Sequence, residues 1–438
     1  MIIGIIGLGY VGLTLGLVAA SKGITVYGTE IDESIKALLK KNQSHFYEKG
    51  INELLEKYNN KTFHVVESFP KNIPFDAFIV TVGTPLIGEN EKCPNYNYIL
   101  SAIKSLEGLY NGSQMIILRS TVSVGTTRNF VLPLLEQMSQ KNKKDILVGM
   151  CPERTIEGKA LSELTSLPQI ISGNNDQSLA VAKTLFTKIT PDVVVTDSLE
   201  EAELAKLYCN VYRDITFAMG NAFCLAAQSF SVDGVKVIER ANFGYPRSNI
   251  AKPGFVSGPC LEKDAHILLN NMPESMFKNF ISSARTLNET LEDLVCSWVR
   301  KTIGPATKDN AITLTGMAFK GFPETSDLRG SAAVYIAKKL ASLGYTLYLH
   351  DFVAHPLQME ALKVGKVFAS DKLLEACMSS KMLLVLNNHK NYATIKYHPS
   401  ISRQHGFRIL DIWNACTLLH ASDDVLIDTI GTINIKEK

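Results

Sequence analysis

The sequence predicts an α/β protein with two parallel-sheet domains joined by a central, mostly helical region. Three observations predict it: a glycine fingerprint set between two short strands at the N-terminus, a stretch without strand signals from 199 to about 305, and a return of strand–helix–strand order after 305. At 438 residues the chain is too long for one ordinary core, and the expected divisions are 1–198, 199–305 and 306–438.

Ile2 to Ile6 reads as a short buried strand, Gly7-Leu-Gly-Tyr-Val-Gly12 follows at once, and a helix runs to about Ser21. Gly23 ends that helix, and a second strand covers Ile24 to Gly28 just before Glu30. This order is the dinucleotide unit of a Rossmann-like domain. Gly7, Gly9 and Gly12 let the backbone beside Tyr10 and Val11 approach a pyrophosphate at the helix N-terminus, and Glu30 is placed to hold both ribose hydroxyls. A carboxylate there repels a 2′-phosphate, so NAD rather than NADP is the expected cofactor. Without its strands, helix and acid the same pattern would describe only a glycine-rich turn. The first 20 residues are apolar enough to resemble a secretion signal, but they lack a basic leading region and are interrupted by Gly4, Gly7, Gly9 and Gly12. No later stretch is long and apolar enough to span a bilayer. Strand-like runs at 77–82, 115–118, 146–150, 169–172 and 193–196 continue the domain. Two of them end in small polar clusters, Gly83-Thr84-Pro85 and Ser120-Thr121, where ligands bind in such sheets.

The central region opens with a long helix expected over 201–229, which places Lys206, Asn210 and Arg213 on one stripe. Such a stripe lines a site or faces solvent, and spacing alone leaves both open. After 305 come a strand at 311–315, a loop at 316–330, a helix at 331–341, a strand at 346–350 and Asp351. The order of the N-terminal unit returns without its glycine fingerprint, which implies a second nucleotide-type domain for a different ligand. Lys320 and Arg329 in that loop suit a diphosphate, although exposed basic residues commonly meet only water. Runs at 382–386, 408–412 and 425–428 supply further strands.

Lysine and arginine number 45 against 43 acids, with no long run of one sign, so nothing points to nucleic acid or an anionic membrane. Eight cysteines are scattered without C-x-x-C pairs, which argues against zinc and a disulfide framework and for reduced thiols in a cytosol. One of them, Cys260, sits in Pro253-Gly-Phe-Val-Ser-Gly-Pro-Cys-Leu-Glu-Lys-Asp264. A nicotinamide enzyme with a placed thiol can oxidise past the aldehyde. The thiolate traps the aldehyde as a thiohemiacetal, a second hydride leaves to give a thioester, and water releases an acid.

With these residues in view, the chain resembles the UDP-glucose/GDP-mannose dehydrogenase family of nucleotide-sugar 6-dehydrogenases nearly end to end. The resemblance runs through the fingerprint, Gly83-Thr-Pro85, Ser120-Thr121 with Val124-Gly-Thr126, Cys151-Pro-Glu-Arg154, Glu203-Leu-Ala-Lys206 with Asn210, the Cys260 motif, and Ala318-Phe-Lys320 with Asp327-Leu-Arg329. It implies an N-terminal NAD domain, a central dimerising helix, a C-terminal domain for the UDP moiety, and four-electron oxidation of a UDP-sugar for polysaccharide synthesis by a cytoplasmic homo-oligomer. By position, Cys260 is the nucleophile, Lys206 stabilises oxyanions, Asn210 is its hydrogen-bonding neighbour, and Asp264 assists water and proton traffic. Glu153 is the general base of thioester hydrolysis and Thr121 orients water or the C6 oxygen. Thr84, Glu157 and Arg329 correspond to NAD contacts. Phe319, Lys320, Gly254, Phe255 and Gly258 correspond to substrate contacts, with Glu153, Lys206 and Asn210 also meeting the sugar and Arg247 reaching it across a dimer. Asp411-Ile-Trp-Asn414 stands where UDP-glucose dehydrogenases carry Asp-Gly-Arg. Arg213 with Asp214-Ile-Thr-Phe-Ala-Met-Gly-Asn221 resembles the branch that oxidises UDP-N-acetylhexosamines such as UDP-N-acetylmannosamine, and that branch is the expectation, ahead of UDP-glucose. A two-electron hydroxyacid dehydrogenase and a non-catalytic nucleotide-sugar sensor are the readings from other classes.

Overall fold

The structure, a computed structural model, describes residues 1–88, 92–142, 145–270, 272–307, 310–394, 407–416 and 426–433. They form two compact units, Met1–Asn210 with His266–Pro273, and Val211–Ala265 with Glu274–Lys438. The chain passes between them three times, inside helices Leu199–Gln228 and Leu261–Asn270 and again between Pro273 and Glu274.

The first unit is built on a parallel sheet of β1 (Ile2–Ile6), β2 (Thr25–Thr29), β3 (Phe63–Val66), β4 (Ala77–Val80), β5 (Met115–Leu118) and β6 (Val148–Met150), in the order β3-β2-β1-β4-β5-β6. Side chains alternate across it. In β4, Ala77 and Ile79 enter one core with Ile3 and Ile5, while Phe78 and Val80 enter the other with Ile6 and Ile116. Both faces are covered, which is why these strands read as continuous apolar runs. Helix Tyr10–Ser21 is buried from Gly12 to Ala20, and its Leu13, Leu17 and Val18 join Leu55 and Leu164. Burial on all sides explains the apolar composition that resembled a signal segment. The expected strands near 170 and 194 form as β7 (Gln169–Ile171) and β8 (Val193–Val195), pairing with each other as a separate parallel ribbon.

The second unit repeats the plan with β9 (Ile312–Thr315), β10 (Leu347–His350), β11 (Lys366–Val367), β12 (Met382–Val385), β13 (Arg408–Asp411) and β14 (Leu426–Thr429), in the order β11-β10-β9-β12-β13-β14. One face packs Ile312 and Leu314 on Ile336 and Leu340 of helix Ala332–Ser342 and on Leu291, Val295 and Val299 of helix Met276–Ile303. The other face packs Leu383, Val385 and Ile409 on Tyr392 and Phe407. The expected strands lie within two residues of the observed ones, while Val425 falls outside the described residues. Among the described residues no helix is long and apolar enough to cross a membrane.

Candidate active site

Ligand-facing loops in a parallel sheet follow strand C-termini, and the fingerprint follows β1. The first intrahelical bond runs from Leu13 N–H to the Gly9 carbonyl, 3.0 Å, so the N–H groups of Tyr10, Val11 and Gly12 open the helix without intrahelical acceptors. A Cβ on Gly12 would stand 1.9 Å from the Gly7 carbonyl oxygen, whereas one on Gly9 would meet nothing within 4 Å. The loop is therefore closed behind and open in front. Glu30, at the end of β2, is aimed by the backbone: Oε2 accepts from Leu8 N–H at 2.8 Å, and Oε1 from Ile31 and Asp32 N–H at 2.8 and 3.2 Å. An open helix N-terminus beside a fixed carboxylate fits NAD, with the diphosphate on the amides and a ribose on Glu30.

Two further segments attach to this loop. The Tyr10 hydroxyl donates to the buried Glu48 carboxylate, and Gly158 N–H donates to the same oxygen at 2.7 Å and to the Tyr10 oxygen at 2.9 Å, which ties the segment carrying Glu157 to the fingerprint. Burial and the neighbouring Glu48 carboxylate push the Tyr10 phenol well up, so it stays a donor. At the ends of β4 and β5, Thr84 Oγ1 donates to the Thr121 carbonyl and Ser120 Oγ to the Val82 carbonyl, both at 2.6 Å. This clasp leaves Gly83 and Pro85 exposed and Thr84 buried.

After β6, Glu153 is buried with its carboxylate nearly saturated. Oε1 accepts from Arg154 and Thr155 N–H at 2.7 Å, and Oε2 accepts from Arg119 Nη2. Arg119 also donates through Nη1 to the Cys151 carbonyl at 2.9 Å and to Gln169 Oε1 at 3.0 Å. Burial pushes the Glu153 carboxyl up, but the Arg119 guanidinium, the Thr155 N–H and Lys206 outweigh it and hold the group below the usual carboxylate range. Lys206 and Asn210 are buried one turn apart on helix Leu199–Gln228. The helix is anchored by Glu203, which accepts from Gly125 N–H, Thr127 N–H and Thr127 Oγ1. Arg119 escaped the sequence reading because a lone arginine beside an apolar strand reads as surface.

In the second unit the Cys260 thiol is exposed at the head of helix Leu261–Asn270. Asp264 N–H donates to the Cys260 carbonyl at 3.0 Å, the one-turn relation expected from spacing, and the buried Asp264 carboxylate pairs with Lys263 at 3.1 Å. The segment leading to the thiol is held from several sides. Asn221 accepts from Gly254 N–H at 2.8 Å and donates to the Gly254 carbonyl at 3.1 Å, and Gly258 N–H donates to the Gly330 carbonyl at 2.7 Å. Gly258 has φ +101°, and a Cβ there would lie 2.5 Å from the Phe319 ring. Phe255 is buried, and Lys320 Nζ lies 5.3 Å from the Phe319 ring centroid. Arg285, also missed from sequence, donates to Asp214 at 2.8 Å and to the carbonyls of Leu261 and Val256 at 3.0 and 3.2 Å, on either side of Cys260.

The structure does not gather the remaining arginines into these clusters. Arg213 is exposed and stacks 5.9 Å from Phe217, unlike its buried stripe partners Lys206 and Asn210. Arg247 is exposed against Tyr245, and Arg329 is exposed and doubly bonded to Asp327. Trp413 donates to the Leu386 carbonyl at 3.1 Å and packs on Gly254, where a Cβ would meet the indole at 2.8 Å.

Residues 1–190 match the NAD binding domain, 200–290 the central domain and 313–417 the UDP binding domain of the UDP-glucose/GDP-mannose dehydrogenase family. The UDP-N-acetyl-D-mannosamine dehydrogenase of Methanocaldococcus jannaschii is 30% identical over 392 residues, covering 89% of this chain and 86% of the relative. That of Campylobacter jejuni is 29% identical, covering 91% and 98%. The structure of the UDP-D-ManNAc dehydrogenase from Pyrococcus horikoshii superposes with a TM-score of 0.85 at 25% identity, covering 99% of this chain and all of that one (100%). The chain belongs to the UDP-glucose/GDP-mannose dehydrogenase family. It is an NAD-dependent nucleotide-sugar 6-dehydrogenase that takes a UDP-sugar.

Proposed function

We propose that the chain oxidises the C6 hydroxyl of a UDP-N-acetylhexosamine, UDP-N-acetylmannosamine first among them, to the uronic acid through a covalent intermediate on Cys260. The observation that carries the reading is the exposed thiol at a helix head, reached by a segment braced at Gly254, Val256, Gly258 and Leu261. Two further facts support the sugar: relatives named for UDP-N-acetyl-D-mannosamine match nearly end to end, and Trp413 stands where a UDP-glucose enzyme carries arginine.

NAD held at the fingerprint would supply the hydride acceptor, a fresh molecule for each of the two oxidations at C6. In the first, the hydroxyl proton passes toward Asp264 while Lys206 and Asn210 stabilise the oxygen as the alcohol becomes an aldehyde. The Cys260 sulfur then adds to the carbonyl carbon, and loss of the second hydride leaves a thioester. Water oriented by Thr121 attacks that carbon while Glu153, as general base, takes its proton, the C–S bond breaks with sulfur keeping the electron pair, and Asp264 assists the proton traffic. Arg213 addresses the N-acetyl carbonyl, Phe319, Lys320 and residues 254–258 hold the sugar diphosphate, and Thr84, Glu157 and Arg329 hold NAD. Division into 1–198, 199–305 and 306–438, a homodimer in which Arg247 reaches the partner's substrate, a cytoplasmic location and a role in polysaccharide synthesis complete the proposal.

The test is NADH formed per sugar consumed, with limiting UDP-N-acetylmannosamine, UDP-N-acetylglucosamine, UDP-N-acetylgalactosamine or UDP-glucose. Two NADH from an N-acetylated sugar is the expected result. Two from UDP-glucose alone moves the substrate, one per sugar reduces the enzyme to a two-electron dehydrogenase, and binding without NADH makes it a sensor.

A further inference from the structure

Arg119 is among the largest fully buried side chains of the molecule and belongs to none of the motifs that define the fold. A buried guanidinium is weak evidence for stability, since apolar residues of similar volume commonly serve as well or better. Its arrangement suggests a different task. It leaves the end of β5 and reaches into the segment after β6, where its Nη1 fixes the Cys151 carbonyl and its Nη2 binds Glu153. Gln169, which accepts from Arg119, donates in turn to the Pro152 carbonyl at 3.0 Å. The three consecutive positions 151, 152 and 153 are thus each held, and Phe186 closes the far side with its ring 5.5 Å from the guanidinium.

We propose that Arg119 is a positioning residue that locks the Glu153 carboxylate in one orientation, so that its remaining lone pair meets the water of the acid-releasing step and takes that water's proton. The inference rests on the hydrolytic role given to Glu153 above. A carboxylate offers about four acceptor sites. Two on Oε1 are taken by Arg154 and Thr155 N–H and one on Oε2 by Arg119, which leaves a single site, of fixed direction, for water. The charged and titratable groups facing it agree. Arg119 comes from β5 and Lys206 from helix Leu199–Gln228, both cations, while Arg154 turns away to the Pro168 carbonyl. The Cys151 thiol, pushed up to about 12 by burial, is neutral. Every charge that acts on Glu153 therefore favours its anion, the form that can accept a proton from water.

The experiment uses the full chain with NAD and UDP-N-acetylmannosamine in single turnovers from about pH 5.5 to 8.5. NADH reports the hydride steps, and intact mass of the acylated protein reports decay of the Cys260 thioester. Expected is a decay rate in the wild type that shows no titration of Glu153. Arg119→Met slows decay roughly 100-fold and adds an acid limb, because the carboxyl now titrates in a buried site. The first hydride step stays unchanged. Arg119→Lys, which keeps the charge, restores the flat profile, and Glu153→Gln slows decay without a limb. A wild-type profile in Arg119→Met overturns the proposal, as does a wild-type limb that vanishes in Glu153→Gln. Infrared difference spectra of resting wild type against Glu153→Gln need neither turnover nor a folded Arg119 variant. A protonated Glu153 carboxyl near neutral pH overturns the inference even if no sugar is oxidised, whereas absence of turnover overturns only the proposed function.

Discussion

The two six-stranded sheets share a device and use it differently. Each first strand runs into a glycine with positive φ, Gly7 at +93° and Gly316 at +85°. Each second strand ends at an acid that grips the loop after that glycine. Glu30 accepts from Leu8 N–H at 2.8 Å, and Asp351 accepts from Ala318 N–H at 2.9 Å. The second oxygen of each takes the turn that follows, Ile31 and Asp32 in one case, Val353 and Ala354 in the other. What differs is the loop. In the first unit a helix starts at Tyr10, leaving bare amides and a half-buried Glu30. In the second the helix waits until Ala332, and Asp351 is buried. Both acids grip their own backbone, but one stays half-exposed and open to a ribose while the other is buried, so ligand choice lies in the loop rather than in the sheet.

Breaking the loop geometry should separate the two halves most strongly. Gly12→Ala places a methyl against the Gly7 carbonyl, a contact the backbone can relieve only by moving the helix start. NAD affinity should fall by about 100-fold or more, a loss of roughly 3 kcal/mol, measured by calorimetric titration, with UDP binding kept. Gly316→Ala should do the reverse. Its Cβ meets Asn387 at 2.7 Å and strains a left-handed turn, costing about 1–3 kcal/mol of stability while NAD affinity holds. Equal loss of NAD binding in both variants would contradict the division of labour.

The paired acids sharpen it at smaller scale. Asp351→Asn replaces a carboxylate that accepts from Ala318, Val353 and Ala354 N–H by an amide whose NH2 must face at least one of those donors. A loss of about 1–3 kcal/mol in denaturant unfolding is expected, with catalysis per folded molecule unchanged. Glu30→Gln should cost less stability, weaken NAD by about tenfold and narrow its advantage over NADP, since the repulsion of a 2′-phosphate is gone. Retained NAD selectivity in Glu30→Gln would show that Glu30 serves only its own loop.

How much of this was legible in the sequence follows from what each residue depends on. The first strand–helix–strand unit, the fingerprint and Glu30 were readable because strand, glycines and acid sit within 30 residues and obey local geometry. The one-turn relation of Cys260 and Asp264 was readable for the same reason. Arg119, Arg285 and Asn221 were not, because their partners Glu153, Val256 and Gly254 lie 34, 29 and 33 positions away and no short pattern records that distance. Arg213 leaves the surroundings of Lys206 and Asn210 because about two turns of a long helix do not keep one environment: by residue 213 the side chain has reached solvent. The edge strands Phe63–Val66 and Lys366–Val367 were missed because runs of four and two residues carry little or no periodicity.

The last and smallest effect is acid sensitivity. β10 ends in His350, where β2 ends in Thr29, which does not titrate. His350 is fully buried, with Nδ1 2.7 Å from Thr315 Oγ1 and Nε2 3.0 Å from the Ser370 carbonyl. Burial holds its pKa below the ordinary value of about 6.5, outweighing the Ser370 carbonyl and Asp351, which favour the cation. The folded state therefore binds this proton more weakly than the unfolded one. Stability is full above about pH 6.5 and declines as pH falls toward the depressed folded value, at no more than about 1.4 kcal/mol per pH unit. In the first unit the depressed groups are carboxyls, the buried Glu153 among them, whose contribution is present above the unfolded value of about 4.3 and is lost only below it. Between about pH 6.5 and 5 the second unit should thus loosen while the first holds, read by hydrogen exchange on β9 and β10 against β1 and β4. His350→Gln should shrink that window in the second unit alone, with His389, whose pKa burial also lowers, supplying the rest. If exchange in β1 and β4 accelerates first, or if the substitution leaves the acid response unchanged, His350 is not what makes the two halves differ in acid.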